Sequence, residues 1–253
     1  MYNPSVFESG GYRFLPSVFQ YSAGVAALPG YELEHARFVR PVSLSDGYLA
    51  VEQHLARLGR PLTAFAHCEL RSPGQMTDQG FVDFNRKYVE TLARWGIYRE
   101  SSTINPVART NVCPELHGPT EVMMHAFSYT VPACGDTCAQ FILSGGGDAR
   151  SGPQPYRERI VAYGDVSEHG LRLKMAHVIH EMELRLQGLG FAWEDVQTAQ
   201  AYTVHDIGSL VRDMLARGNL MAGGLLWHFA RPPVAGLEYE MDLKGAVRQI
   251  FIE

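Results

Sequence analysis

An imperfect internal repeat constrains this chain more than any other feature of it. Residues 61–114 read strand, helix, strand, through LTAFAHCELRSP, TDQGFVDFNRKYVETLARWG and PVARTNVCP. Residues 174–233 read helix, strand, helix, strand, through KMAHVIHEMELRLQGLG, VQTAQAYTVHD, IGSLVRDMLARG and GLLWHFARPP. Residues 46–59 supply the matching earlier helix of the first half. A chain of 253 residues that repeats one unit divides into two domains of ordinary size. The boundaries are predicted at 1–132 and 133–253.

Local patterns fill in the elements. Residues 14–27 and 32–40 alternate unevenly and carry Val, Phe and Tyr, which predicts edge or paired strands with a turn at Pro29-Gly30. Ser43, Ser45 and Asp46 offer N-caps for a helix with the stripe Leu49, Val51, His54, Leu55 and Leu58, ended by Gly59. Thr77 or Asp78 caps a second helix. In it Phe81, Phe84, Tyr88, Leu92 and Trp95 recur at three or four residues and suit packing on a sheet. In the second half a long helix carries Leu171, Met175, Val178, Met182, Leu184 and Leu186. Short strands are predicted over 159–163 and 237–243.

Each half is therefore an α+β unit, a sheet with two helices on one face. The other face, with Ala64 and Ala66 or Ala199 and Ala201, is expected to be bare and apolar. It has to be buried against another sheet, of the same chain or of a sister subunit.

Composition narrows the function classes. Hydrophobic residues make up 46% and charged residues 19%, as in a folded globular protein. A net charge of −5 argues against broad nucleic-acid binding but leaves room for a local cationic pocket. No apolar run approaches the length of a membrane span, and MYNPSVFESGGYRF lacks the basic start and apolar core of a signal peptide. Of Cys68, Cys113, Cys134 and Cys138, only the last two are close, and CGDTC does not have the redox CxxC spacing. Reduced thiols in a cytoplasmic protein are expected. His177, His180 and Glu181 do not make an HExxH motif, so no metal or other cofactor is expected. Gly145–Gly147 lacks the GK[ST] ending of a phosphate loop and is read as a place where backbone amides approach a ligand. The absence of a GxSxG elbow argues against serine-hydrolase chemistry.

Three segments together resemble the RidA (YjgF/YER057c/UK114) superfamily. GLGFAWEDVQTAQAYTVHD is similar to its helix end and following strand, PVARTNVCP to its arginine-bearing strand, and LEYEMD to its closing strand. The resemblance implies two tandem chorismate-mutase-like domains, a homotrimer, and ligand clefts between adjacent domains. Members hydrolyse enamines and imines derived from amino acids, 2-aminomuconate deaminases are among their relatives, and the chorismatases share the fold in fused form. Carried onto this chain, Arg109 matches the arginine that holds a substrate carboxylate, and Asn111 falls where catalytic members often have a cysteine. The acid position falls on His125 in the first half and on Glu240 in the second. The second half reads Gly224 where the first has Arg109, so one site sharing Arg109 and Glu240 is the economical arrangement.

The residue types fit those roles but leave alternatives open. A guanidinium at Arg109 can grip a carboxylate in a bidentate pair, or can form a salt bridge within the protein. Glu238 and Glu240 alternate along a predicted strand, so both are expected on one face, where one carboxyl can have a raised pKa. His125 can relay protons or simply pack. His228 and Arg231 lie in WHFARPP, with Arg231 a candidate second carboxylate clamp. His205 and Asp206 suit a turn, and His67 with Glu69 a polar patch.

The expected function is metal-free hydrolytic deamination of an unsaturated amino (di)carboxylic acid such as 2-aminomuconate. Arg109 orients the substrate and Glu240 activates water. Chorismatase-like or isomerase chemistry on a cyclic carboxylate is the enzymatic alternative. A metabolite-binding protein without turnover is the non-enzymatic one. The expected partner is a small-molecule carboxylate, with no nucleic acid and no membrane.

Overall fold

The computed structural model describes residues 2–99, 101, 104–135, 140–215 and 223–253. Cys138 of the CGDTC segment lies outside the described residues, and Cys68, Cys113 and Cys134 are free. Three short strands come first: β1 (Ser5–Phe7), β2 (Tyr12–Phe14) and β3 (Gly24–Ala27). The first repeat follows as β4 (Tyr31–Ser43), α1 (Leu44–Arg57), β5 (Phe65–Arg71), α2 (Asp78–Arg94), β6 (Ala108–Pro114) and β7 (Met123–Pro132). The second begins with β8 (Phe141–Gly147), a helical turn α3 (Tyr156–Arg159), α4 (Glu168–Leu189), β9 (Thr198–Tyr202), α5 (Gly208–Leu215) and β10 (Leu225–His228). β11 (Ala230–Arg231), β12 (Glu240–Lys244) and β13 (Arg248–Ile252) end the chain.

Local chemistry starts and stops the helices. Ser43 Oγ accepts from Asp46 N at 3.1 Å, Thr77 Oγ1 from Gly80 N at 3.1 Å and Ser167 Oγ from Gly170 N at 3.2 Å, each satisfying an otherwise orphaned amide. Past the C-terminus of α4, Gly190 turns the chain at a φ of +79°, which a side chain disfavours.

The strands form two sheets. One has the order β1-β2-β3-β8-β12-β9-β10, the other β11-β6-β5-β7-β4-β13. Within them the repeat is plain. β4, β7, β5 and β6 are neighbours in that order, and so are β8, β12, β9 and β10. In each set the second and third strands in chain order pair in parallel and the others antiparallel. Each unit is thus a four-stranded α+β layer. Strands also cross residue 132: β3 pairs with β8, β11 with β6 and β13 with β4. β3 and β4 accordingly do not pair with each other across Pro29-Gly30, as a hairpin would require.

Three cores result. The first unit packs Val51, Leu55, Tyr88 and Leu92 of its helices on Phe65, Cys68, Phe127 and Tyr129. The second packs Leu171, Met175, Val178, Met182, Leu186 and Leu189 of α4 on Phe141, Leu143, Ala199, Ala201 and Met241. A smaller cluster joins the two sheets, with Tyr12, Phe14, Val25 and Ile142 against Leu33, Ala66 and Ala108. The bare sheet faces therefore meet within one chain.

That seam is less apolar than the sequence suggested. Ala199 and Ala201 lie under α4, and the residues between and after them, Gln200 and Tyr202, bond Asp242. The alternation of a strand sends one set of side chains to the helices, so the polar set goes inward. It is tolerated because its members are paired. Lys244 Nζ lies 2.7 Å from Glu69, which also pairs with Arg71, and Thr110 donates to Asp242 across the seam at 2.9 Å. Two other expectations also change. Residues 159–163 contribute only an isolated bridge, Ala149 to Ile160, after the α3 turn. Leu184 falls off the α4 stripe and is half-buried.

A second buried ion pair ties the β8 end to α4. Lys174 Nζ sits 2.9 Å from Asp148 Oδ2 and donates to Val161 O at 2.7 Å, while Asp148 Oδ1 accepts from Glu238 N and Tyr239 N. Removing one member strands a charge in the interior. Lys174→Met should lower unfolding free energy by about 3–5 kcal/mol in denaturant titrations.

Candidate active site

A cavity of about 550 Å³ opens where the two repeats meet. Its wall includes Arg109 and Asn111 from β6, Phe81 from α2, Arg185 from α4, Glu240 from β12 and the glycines ending β8. Both halves of the chain are needed to build it.

Arg109 is 2% exposed, and among the described residues its two terminal nitrogens have no hydrogen-bond partner. Aromatic rings surround it instead. Its Cζ lies 4.6 Å from the ring centre of Tyr88, 5.0 Å from Tyr21, 5.5 Å from Phe84 and 5.8 Å from Phe81. Ring faces attract a cation without occupying its N–H groups, so the fork stays available to an oxyanion. The Phe81, Phe84 and Tyr88 stripe, read from the sequence as sheet packing, also makes this cage. Asn111, two residues along, accepts from Ser72 Oγ at 2.9 Å and leaves its buried Nδ2 without a partner. Thr110 between them points the other way, into the seam.

Glu240 is 4% exposed, and no hydrogen bond to its carboxyl is found among the described residues. Burial is the main cause that pushes its pKa up to about 8. The nearby Asp242 and Asp148 add to the rise, while Arg185 and Arg109 oppose it. The carboxyl is therefore mostly protonated at neutral pH and can give a proton before it takes one. Its position depends on Gly145, because a Cβ there would overlap Glu240 Oε1. Gly146 likewise clears room for Arg185, whose Nη1 and Nη2 would lie 3.1 and 3.2 Å from a Cβ. The glycine run thus accommodates side chains from β12 and α4, a use not foreseen from its sequence.

The other predicted residues lie elsewhere. Glu238 precedes β12 rather than sharing its face. It pairs with His205 Nε2 at 2.7 Å and Arg231 Nη1 at 3.2 Å. Arg231 also pairs with Glu115 at 2.9 Å and does not line the cavity. His228 stacks on Tyr202 at 4.9 Å and bonds Gln200 at 2.9 Å. His125 is also away from the cavity wall, and burial first, then Arg71, lowers its pKa to about 3. His67 shares Ser128 Oγ with His35 inside the seam. The structure therefore brings together Arg109, Asn111 and Glu240. It adds Arg185, Tyr21 and Phe81, none of which the sequence marked as a site residue. Only the spacing of Phe81 and Phe84 carried a signal, and that signal is shared with ordinary packing. Among the described residues no group of three or more His, Cys, Asp or Glu is arranged to hold a metal ion, and no helix is long and apolar enough to cross a membrane.

Comparison with known proteins agrees over nearly the whole chain. The family model described as 2-aminomuconate deaminase CnbZ matches residues 4–250. A protein of Comamonas testosteroni named 2-amino-5-chloromuconate deaminase is 58% identical over 245 residues, covering 96% of this chain and 97% of that protein. Among solved structures, a chorismatase is similar at 17% identity and a TM-score of 0.46, covering 88% of this chain and 77% of its own. A YjgF/YER057c/UK114 family member from Mycobacterium tuberculosis is similar at 14% identity and a TM-score of 0.26, over 44% of this chain and 82% of its own.

The Glu240 carboxyl has a definite consequence for stability. Its folded pKa of about 8 exceeds its ordinary 4.5, so its favourable contribution is complete below about pH 4.5 and lost as pH rises through 8. Glu240→Gln stays neutral throughout. Relative to the parent, the variant should gain about 1.4 kcal/mol per pH unit between those limits. Urea titrations at pH 5, 7 and 9 check this.

Proposed function

The chain belongs to the 2-aminomuconate deaminase CnbZ family, and from that premise we propose that it hydrolyses the enamine of a 2-aminomuconate-type acid to the 2-oxo acid and ammonia. The observation that carries the reading is the pairing in one cavity of a caged, unpartnered guanidinium with a buried, protonatable carboxyl.

Arg109 takes the carboxylate beside the nitrogen-bearing carbon through its free Nη1 and Nη2. Two parallel charge-assisted hydrogen bonds fix the plane of the substrate. Asn111 Nδ2 offers one more donor beside them. Glu240 begins protonated and delivers its proton to the enamine carbon chain, and the electron pair of the C=C bond forms the new C–H bond. The nitrogen lone pair then completes an iminium, and Glu240 is left as carboxylate. In that form it takes a proton from water as the water oxygen bonds to the iminium carbon. The resulting carbinolamine receives that proton on nitrogen from Glu240, the C–N bond breaks, and Glu240 takes the hydroxyl proton as ammonia leaves and the 2-oxo acid forms. One water is consumed and the enzyme returns to its starting state. Imines hydrolyse readily, so orientation and a single well-placed proton carrier suffice.

A homotrimer in the cytoplasm remains part of this proposal, and light scattering of the purified protein tests the assembly. For the chemistry, ammonia release and the decay of substrate absorbance are followed together. Arg109→Ala should lower kcat/KM on 2-aminomuconate by about 100-fold or more, since it removes a charge-assisted pair. Unchanged turnover would sink the clamp. The acid form of Glu240 is needed first, so kcat/KM should fall as pH rises through about 8. Glu240→Gln should abolish turnover while leaving binding of muconate in place.

A further inference from the structure

The cavity holds more positive charge than the proposed reaction has used. Arg185 projects from α4 over β8, where Gly146 leaves room for it beside Glu240. Its Nη1 donates to Ser144 O at 3.0 Å, and among the described residues its buried Nε has no partner and no carboxylate pairs with it. Arg109 is also unpaired. The two guanidiniums come from different repeats, one from β6 and one from α4. Other buried cations among the described residues are matched, Lys174 by Asp148, Lys244 by Glu69 and Arg71 by Glu69. Two buried or half-buried guanidiniums with unsatisfied donors and no ion pair among the described residues, in a cavity whose wall also carries Asp78 and Glu181, favour a ligand that brings two negative charges.

Other cations on the wall are less suited to this. Arg159 uses Nε and Nη1 on the carbonyls of Gln154 and Arg150 and lies over the Tyr156 ring at 4.1 Å, so it braces its own loop. Arg150 is exposed on that loop. Arg231, the second clamp expected from the sequence, lies off the wall and is held by Glu115 and Glu238. Arg185 alone among these combines a helical anchor, a position next to Glu240 and an unsatisfied buried donor.

We propose that Arg185 binds the far carboxylate of the substrate and so makes the site selective for dicarboxylic over monocarboxylic enamines. The inference rests on the deaminase reading and deepens it. Arg109 holds the end that reacts and Arg185 the end that does not, and the chain between them lies past Glu240. Arg185 is a specificity residue here, since it touches substrate without exchanging a proton or bond.

The test separates binding from turnover. Muconate and sorbate share a six-carbon diene and differ in the second carboxylate, and neither carries the amino group. Calorimetry with the parent protein should give tighter binding of muconate. Arg185→Gln should weaken muconate about 100-fold, the loss expected for a charge-assisted contact, and change sorbate by less than about threefold. Arg185→Lys, which keeps the charge and loses the planar fork, should fall between. Turnover is then measured on 2-aminomuconate and on 2-aminoacrylate generated in place. Arg185→Gln should raise KM for the first by a much larger factor than for the second, and an unchanged circular dichroism spectrum and melting temperature show that the variant is folded. Equal losses on both substrates, or unchanged muconate affinity, would overturn the proposal. If the parent releases ammonia from neither substrate, the deaminase reading itself falls. Activity in the parent with no selectivity lost in the variant sinks the Arg185 assignment alone.

Discussion

Two hydrogen bonds between the sheets determine whether this protein has a site at all. Ser144 Oγ accepts from Arg109 N at 3.0 Å, and Gly145 N donates to Thr110 Oγ1 at 3.1 Å. They pin β8 of one repeat to β6 of the other. Ser144 Oγ in turn donates to Ser22 O at 2.6 Å, which fixes the segment carrying Tyr21. Arg109, Glu240 and a wall of their aromatic cage are thereby set around one opening. All these polar atoms are buried, so a shift that broke the bonds would also strand donors and acceptors away from water.

The seam and the cavity handle charge in opposite ways. In the seam, Glu69, Arg71, Asp242 and Lys244 neutralise one another, and His35 and His67, whose pKa burial lowers to about 3, remain neutral at ordinary pH. Such a matched interior is a registry device as much as a stabilising one, because polar side chains make a slipped alignment of the sheets costly. In the cavity the matching stops. Arg109 and Arg185 keep unsatisfied donors, and Glu240 retains its proton where a carboxylate would find little hydrogen bonding. A protein of net charge −5 thus keeps a recess lined by unpaired guanidiniums.

The glycines ending β8 show why such a site needs a particular backbone as well as particular side chains. A strand interior normally loses packing when glycine replaces a larger residue. Here the missing side chains let a carboxyl and a guanidinium cross the strand, one at Gly145 and the other at Gly146. The local sacrifice of packing on β8 is tied to the reach of β12 and α4. It also explains why the same triplet can resemble a ligand-binding loop in sequence while serving its neighbours in space.

Much of the layout was legible in the residues. The helical stripes, the Ser43 and Thr77 caps, the repeated alternation of helices and strands and the candidacy of Arg109 and Glu240 all depend on neighbours within a few positions, or on likeness to a family. Periodicity and capping are local, so a linear string records them. The string could not show that β3 and β4 part into different sheets, that β13 returns to β4, or that Arg231 and Glu238 satisfy each other outside the cavity. Nor could it show that the Phe81, Phe84 and Tyr88 stripe encloses a cation, or that Arg185 lies beside Glu240. Those relations join residues far apart along the chain, and their energies exist only after two sheets have closed on one another and water has left the space between them.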